Sequence, residues 1–221
     1  MAEEKADINK LASKVFDVLD DYSPYSSFLD QSTLSNVDEW IDTGSKMLNA
    51  VISGSLYGGI PKGRVTLLAG ESASGKSFIA QKIVGNAQKM GMYTVVFDTE
   101  NAIDARMVES LGADPKKIKY FPAKSIEQVR NAIFALLQKN EETHMEGKFL
   151  VVIDSLANML SEMETKRMDK DSTSADMGTI AKAIKSLLKT CTTYGGLTKT
   201  TFVVTNHIYD NPNEMYPDLV K

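Results

Sequence analysis

Near the amino terminus apolar residues recur at helical spacing: Ile8, Leu11, Ala12, Val15, Val18 and Leu19 mark one face of a segment running from Asp7 to Asp20. That period predicts an amphipathic helix of about four turns, whose stripe must be buried on its own core or on a neighbouring subunit. Tyr22-Ser23-Pro24-Tyr25-Ser26-Ser27 follows. Pro24 and the serines disfavour continued helix, so this stretch reads as a linker. After Gly63 the pattern changes to short apolar runs separated by longer amphipathic ones. Runs at 65–69, 93–97, 118–121, 149–153 and 201–205 predict strands, and those near 78–90, 104–111, 125–139 and 175–193 predict helices. Strands alternating with helices build a mainly parallel sheet with helices on both faces, an α/β fold. Phe149-Leu150-Val151-Val152-Ile153 is apolar throughout, as a central strand of such a sheet should be.

Composition narrows the classes. At 221 residues and 43% apolar content the chain can bury one main core with modest additions. The single cysteine, Cys191, excludes an internal disulfide framework. No run has the length and apolarity of a signal peptide or a membrane span, so the expectation is a cytoplasmic protein with no membrane partner. A net charge of −4 argues against a generally basic nucleic-acid binder while leaving room for a local basic groove.

The most specific chemistry lies in Gly70-Glu71-Ser72-Ala73-Ser74-Gly75-Lys76-Ser77, entered from the apolar run Val65 to Ala69 and left by the helical run Phe78 to Met90. A GxxxxGK[ST] sequence between a strand and a helix is a phosphate-binding P-loop. Its glycines let successive N–H groups face an anion at the positive end of a helix. Lys76 is expected to reach the β- and γ-phosphates, and Ser77 to ligate magnesium. The apolar strand 149–153 ends in Asp154, a Walker B pattern whose carboxylate would hold magnesium or its water. The cofactors expected are therefore ATP and Mg2+.

Hydrolysis also needs a group that orients or deprotonates water. Glu100 is the candidate, at the end of Tyr93-Thr94-Val95-Val96-Phe97-Asp98-Thr99-Glu100, with Asp98 read as structural. Asp104, at the head of the helix that follows, joins the nucleotide-contacting set. At least two strands intervene between P-loop and Walker B, no Asn-Lys-x-Asp motif is present, and a separate glutamate is available, which together point to ATP and not GTP. Phe202-Val203-Val204-Thr205 leads into Asn206 and His207, where a polar side chain at a strand tip would face the γ-phosphate.

Taken together, Ile41-Asp42-Thr43-Gly44, Ser53-Gly54-Ser55-Leu56-Tyr57-Gly58-Gly59, the P-loop, Phe97-Asp98-Thr99-Glu100, Ile153-Asp154-Ser155-Leu156 and Thr205-Asn206-His207-Ile208-Tyr209-Asp210 resemble the RecA family of recombination ATPases. The similarity is greatest to the phage branch of UvsX-type recombinases, and it spans roughly residues 40 to 211. Bacterial members carry glutamine where this chain has His207, and phage members carry histidine. The resemblance implies a RecA-like P-loop NTPase fold and a switch role for His207. It implies ATP-dependent filaments on single-stranded DNA, homologous pairing and strand exchange in recombination and repair. The implied partners are single-stranded DNA, further copies of the chain in a helical filament, and phage mediator and single-strand-binding proteins. Residues 1–40 would be an oligomerisation arm and 41–221 the ATPase core, with Lys221 falling inside the second DNA-binding loop of the family. The first such loop would correspond to about 158–175.

Between Lys166 and Lys189 six basic residues, Lys166, Arg167, Lys170, Lys182, Lys185 and Lys189, stand against three acidic ones. Lys182, Lys185 and Lys189 share one helical face, where they can track phosphates. A solvated helix face explains the same spacing, and the family's DNA loops favour the DNA reading. Two alternatives stay open from the residues: a RecA-like hexameric helicase or motor, and an ATPase using nucleotide only as a switch.

Overall fold

The computed structural model describes residues 2–32, 34, 36–164 and 177–208. The chain divides into two compact units, Met1–Asn36 and Val37–Lys221. In the first, helix α1 spans Ala2–Asp20, beginning five residues earlier than the apolar period predicts. Tyr22 and Ser23 donate their N–H groups to the Leu19 carbonyl, closing its last turn. Phe16 meets Phe28 edge-on at 5.9 Å, folding the linker back against the helix. Leu11, Val15, Val18 and Leu19 are all exposed.

The second unit opens with a two-stranded antiparallel ribbon, β1 (Trp40–Ile41) and β2 (Ile60–Pro61), flanking the short helix α2 (Lys46–Ser53). Ser45 caps α2 by accepting from Leu48 N–H, and Gly54 ends it in the left-handed conformation that glycine adopts most readily. Asn49, fully buried, ties the unit together: its Oδ1 accepts from Thr43 N–H and Oγ1, and its Nδ2 donates to Asp42 and to the Leu56 carbonyl.

The five main strands are β3 (Val65–Gly70), β4 (Tyr93–Asp98), β5 (Ile118–Pro122), β6 (Phe149–Asp154) and β7 (Thr201–His207). They pair in the order β3-β7-β6-β4-β5, and every pairing is parallel. Helices α3 (Lys76–Lys89) and α4 (Ala105–Ser110), α5 (Ile126–Glu142) and α6 (Met177–Leu197) connect them.

Alternate residues of each strand serve two cores, because side chains leave a strand on opposite faces. Val95, Phe97, Val151, Ile153, Phe202 and Val204 pack with Val129, Ile133 and Leu137 of α5 and with Leu187 and Cys191 of α6. Val96, Leu150, Val152 and Val203 pack on the other face with Ile83, Val84 and Ala87 of α3 and with Ile41 and Ile60. Burial pushes the Cys191 thiol up to about 12, so it serves as an apolar filler.

At Gly195, α6 closes on β7 so tightly that a Cβ there would lie 2.5 Å from the Phe202 ring. Phe202 is itself fully buried. Phe202→Ala should therefore destabilise the core by about 3–5 kcal/mol, read as a lower midpoint in denaturant with an unchanged slope.

Candidate functional site

Parallel pairing sets which residues stand side by side at the carboxyl edge of the sheet. Gly70 of β3 is in register with His207 of β7, and Asp98 of β4 with Asp154 of β6. Chemistry scattered over more than 130 residues of sequence is thereby gathered at one edge, where ligands of open α/β sheets bind.

From Gly70 the chain turns into a loop that ends at the amino terminus of α3. Ala73 (φ 60°) and Gly75 (φ 88°) both adopt the left-handed conformation. Such turns aim successive N–H groups into one concavity, which together with a helix amino terminus suits an anion. A side chain at Gly70 would bring a Cβ within 2.8 Å of Ser74 Oγ, filling the cradle. Lys76 is buried, and its ammonium donates to the carbonyls of Gly70 (3.0 Å) and Glu71 (2.6 Å). Glu71, Ser72, Ser74 and Ser77 are exposed along the loop.

Lys76 Nζ also lies 3.4 Å from His207 Nδ1, and His207 Nε2 lies 3.3 Å from Glu100 Oε1. An ammonium only donates, so Nδ1 is the acceptor, and the ring proton sits on Nε2, facing the carboxylate. The loop lysine, the β7 histidine and the glutamate on the turn after β4 thus form one hydrogen-bonded chain. Ser155 Oγ and Asn158 Nδ2 also donate to Glu100 Oε1, at 3.0 and 2.6 Å. Partial burial of Glu100 pushes its carboxyl up, but donation from His207, Ser155 and Asn158 outweighs it and holds the group below the usual glutamate range.

Asp98 has a different job. Its carboxylate, almost fully buried, accepts from the N–H groups of Glu100 and Ile103 and from Tyr120 O–H, clamping the turn that carries Glu100. Asp154 accepts from Thr205 Oγ1 through Oδ1 and leaves Oδ2 without a donor among the described residues. One free carboxylate oxygen and the Ser77 hydroxyl are hard oxygen donors, a set that fits a magnesium ion completing its shell from phosphate and water.

Asp104 caps α4 by accepting from Arg106 N–H, which is a structural use of its carboxylate. Lys182, Lys185 and Lys189 are exposed on α6, on the face turned away from the core contacts of Leu187 and Cys191. Lys166, Arg167 and Lys170 lie outside the described residues. Sequence reasoning gave Ser155, Asn158, Thr205 and Tyr120 no contact with the site carboxylates, and placed Asn158 only at the start of the first DNA-binding loop that the resemblance implies. The first two stand one and four residues after Asp154, a spacing that offers the only hint of them.

Among the described residues, no helix is long and apolar enough to cross a membrane. The family model for the RecA N-terminal domain matches residues 27–217. The chain is 30% identical over 200 residues to the "Recombination and repair protein" of Enterobacteria phage T4, covering 90% of this chain and 50% of that protein. It is 29% identical over 176 residues to "Protein RecA" of Chlorobium chlorochromatii, covering 80% of this chain and 46% of the relative. With "Protein RecA" of Malacoplasma penetrans the figures are 30% over 176 residues, 80% and 50%. The chain spans about half the length of these relatives. A match over most of its residues, on a parallel sheet whose carboxyl edge gathers the loop lysine, the histidine and the glutamate, makes this chain a member of the RecA family.

Proposed function

We propose that the chain carries the ATPase core of a recombinase that assembles on single-stranded DNA and couples ATP hydrolysis to homologous pairing and strand exchange. The hydrogen-bonded chain Lys76–His207–Glu100 beside the Gly70–Ser77 loop carries this reading, because it joins a phosphate-binding group to a water-activating one. The names of the relatives, recombination and repair among them, support it over a ring-forming helicase.

In this reading the N–H groups of residues 71–77 and the Lys76 ammonium bind the triphosphate. Ser77 and Asp154 would hold magnesium, which when bound neutralises phosphate charge. Glu100 takes the proton of the attacking water through its carboxylate, whose lowered proton affinity keeps it ionised at neutral pH. His207 links the loop to the base: in the described state it accepts from Lys76, and the turning of that ammonium to the γ-phosphate would break this contact. Its Nε2–H remains on Glu100, so the tip of β7 responds to the presence of the phosphate.

Residues 1–40 serve as the oligomerisation arm, supported by the exposed apolar side chains of α1. Phage mediator and single-strand-binding proteins are the further partners this reading carries. Its direct test is steady-state ATP hydrolysis with and without a poly-dT strand: stimulation by DNA is expected, and an absence of hydrolysis under both conditions contradicts it.

The basic face of α6, with Lys166, Arg167 and Lys170, is the DNA contact in this proposal. Lys182→Ala combined with Lys185→Ala should weaken binding of single strands about equally whatever their sequence, since ammonium groups meet phosphates and not bases. Each lost contact should lower the slope of log K against log salt by about 0.7. An unchanged slope with intact ATP binding returns these lysines to an ordinary solvated face.

A further inference from the structure

The three hydrogen bonds to Glu100 all end on one oxygen. Ser155 Oγ, Asn158 Nδ2 and His207 Nε2 donate to Oε1, and Oε2 has no donor among the described residues. The carboxylate is thus divided into an anchored oxygen and an available one. Asn158 makes the shortest of the three bonds, and among the described residues its side chain makes no other.

Its backbone is held firmly. Leu156 and Met159, on either side, are buried, and Leu156 N–H donates to the Thr205 carbonyl. The Leu160 carbonyl accepts from Ile126 N–H, and Leu160 bridges to Ser125. Thr99, next to Glu100, exchanges hydrogen bonds with the backbone of Ser155. The turn 156–160 is therefore fastened to the core at several points, and the exposed Asn158 side chain projects from it onto the glutamate. A side chain needed only for folding would be expected to use its amide on that turn or on the core. Here the amide reaches across to a residue 58 positions earlier in the chain.

We propose that Asn158 is a positioning residue for hydrolysis: its amide fixes Oε1 of Glu100 so that Oε2 is presented to the attacking water. This rests on the ATPase reading above and extends it, because the same side chain makes the segment following β6 a mechanical neighbour of the base. Any ligand that moves residues 156–164 moves the base with them.

The test compares the parent with Asn158→Ala, Asn158→Asp and Asn158→Gln in steady-state ATP hydrolysis on poly-dT. Losing a hydrogen bond to a charged group should lower kcat by about ten-fold in Asn158→Ala, with KM for ATP unchanged. Asn158→Asp keeps the shape, removes the donor and sets a like charge beside the base, so its loss should be the larger. Asn158→Gln restores a donor and should recover activity above Asn158→Ala. Thermal melting should be the same for all four, since the side chain is exposed. The proposal is overturned if Asn158→Ala and Asn158→Asp both hydrolyse ATP at the parent rate, or if kcat falls only in step with a lower melting temperature or a raised KM. A parent that hydrolyses no ATP rejects the ATPase reading itself, an outcome distinct from variants that match an active parent.

Discussion

Glu100→Gln is expected to bind ATP as the parent does and to hydrolyse it about 10²-fold more slowly or worse, because an amide can hydrogen-bond water but cannot take its proton. The substitution is nearly isosteric. The donors on Oε1 from Ser155 Oγ and Asn158 Nδ2 can be retained by the amide oxygen, so the turn held by Asp98 should stay in place. The consequence is a protein trapped with ATP, which single-turnover hydrolysis and nucleotide-binding calorimetry would report together. Turnover within a few-fold of the parent would remove Glu100 from the role of base. Asp98 is then a poor substitute, since it is buried and already accepts three hydrogen bonds.

The same geometry fixes a pH dependence. The Glu100 carboxyl is held below its ordinary value in the folded protein. Its hydrogen bonds therefore contribute stability that is complete above the unfolded pKa of about 4.3 and lost as pH falls through the lower folded value. Hydrolysis should accordingly keep its base ionised well into the mildly acidic range.

Lys76→Ala should abolish tight ATP binding. A charge-assisted contact to a triphosphate contributes about 1.5–3 kcal/mol, which corresponds to a Kd weaker by about ten- to more than a hundred-fold. A second effect is specific to this structure. Lys76 Nζ gathers the Gly70 and Glu71 carbonyls and touches His207, so its loss also frees the start of the loop and the strand tip. The core should remain folded, because Lys76 lies at the edge of the sheet and not among the apolar clusters. Calorimetry showing unchanged ATP affinity would remove the loop from the role of phosphate cradle.

All five main strands were legible as short, mostly apolar runs, broken only by Lys119 and by threonines, and the structure extends each by one or two residues at the carboxyl end. Gly70, Asp98, Asp154 and His207 lie in those extensions, where parallel pairing continues past the apolar stretch. The segment from Trp40 to Pro61 was not legible. Two strands of two residues have no period, and α2 has only eight residues with Met47 and Val51 exposed, so its identity rests on the Ser45 cap and Gly54.

Among the candidate site residues, the loop, Asp154, Glu100 and His207 could be named from motif and strand position. Their mutual contacts could not, because the meeting of Glu100 with Ser155, Asn158 and His207 depends on strand order and register. Asp104, expected at the nucleotide from its place at the head of a helix, also caps α4, a contact its position before the helical run made legible.

The central claim, assembly of this chain on DNA under the control of nucleotide, is tested most directly by electron microscopy of the protein with single-stranded DNA and a non-hydrolysable ATP analogue. Open helical filaments that require both ligands are the expected result, and closed rings or unassembled particles on the same DNA would contradict it.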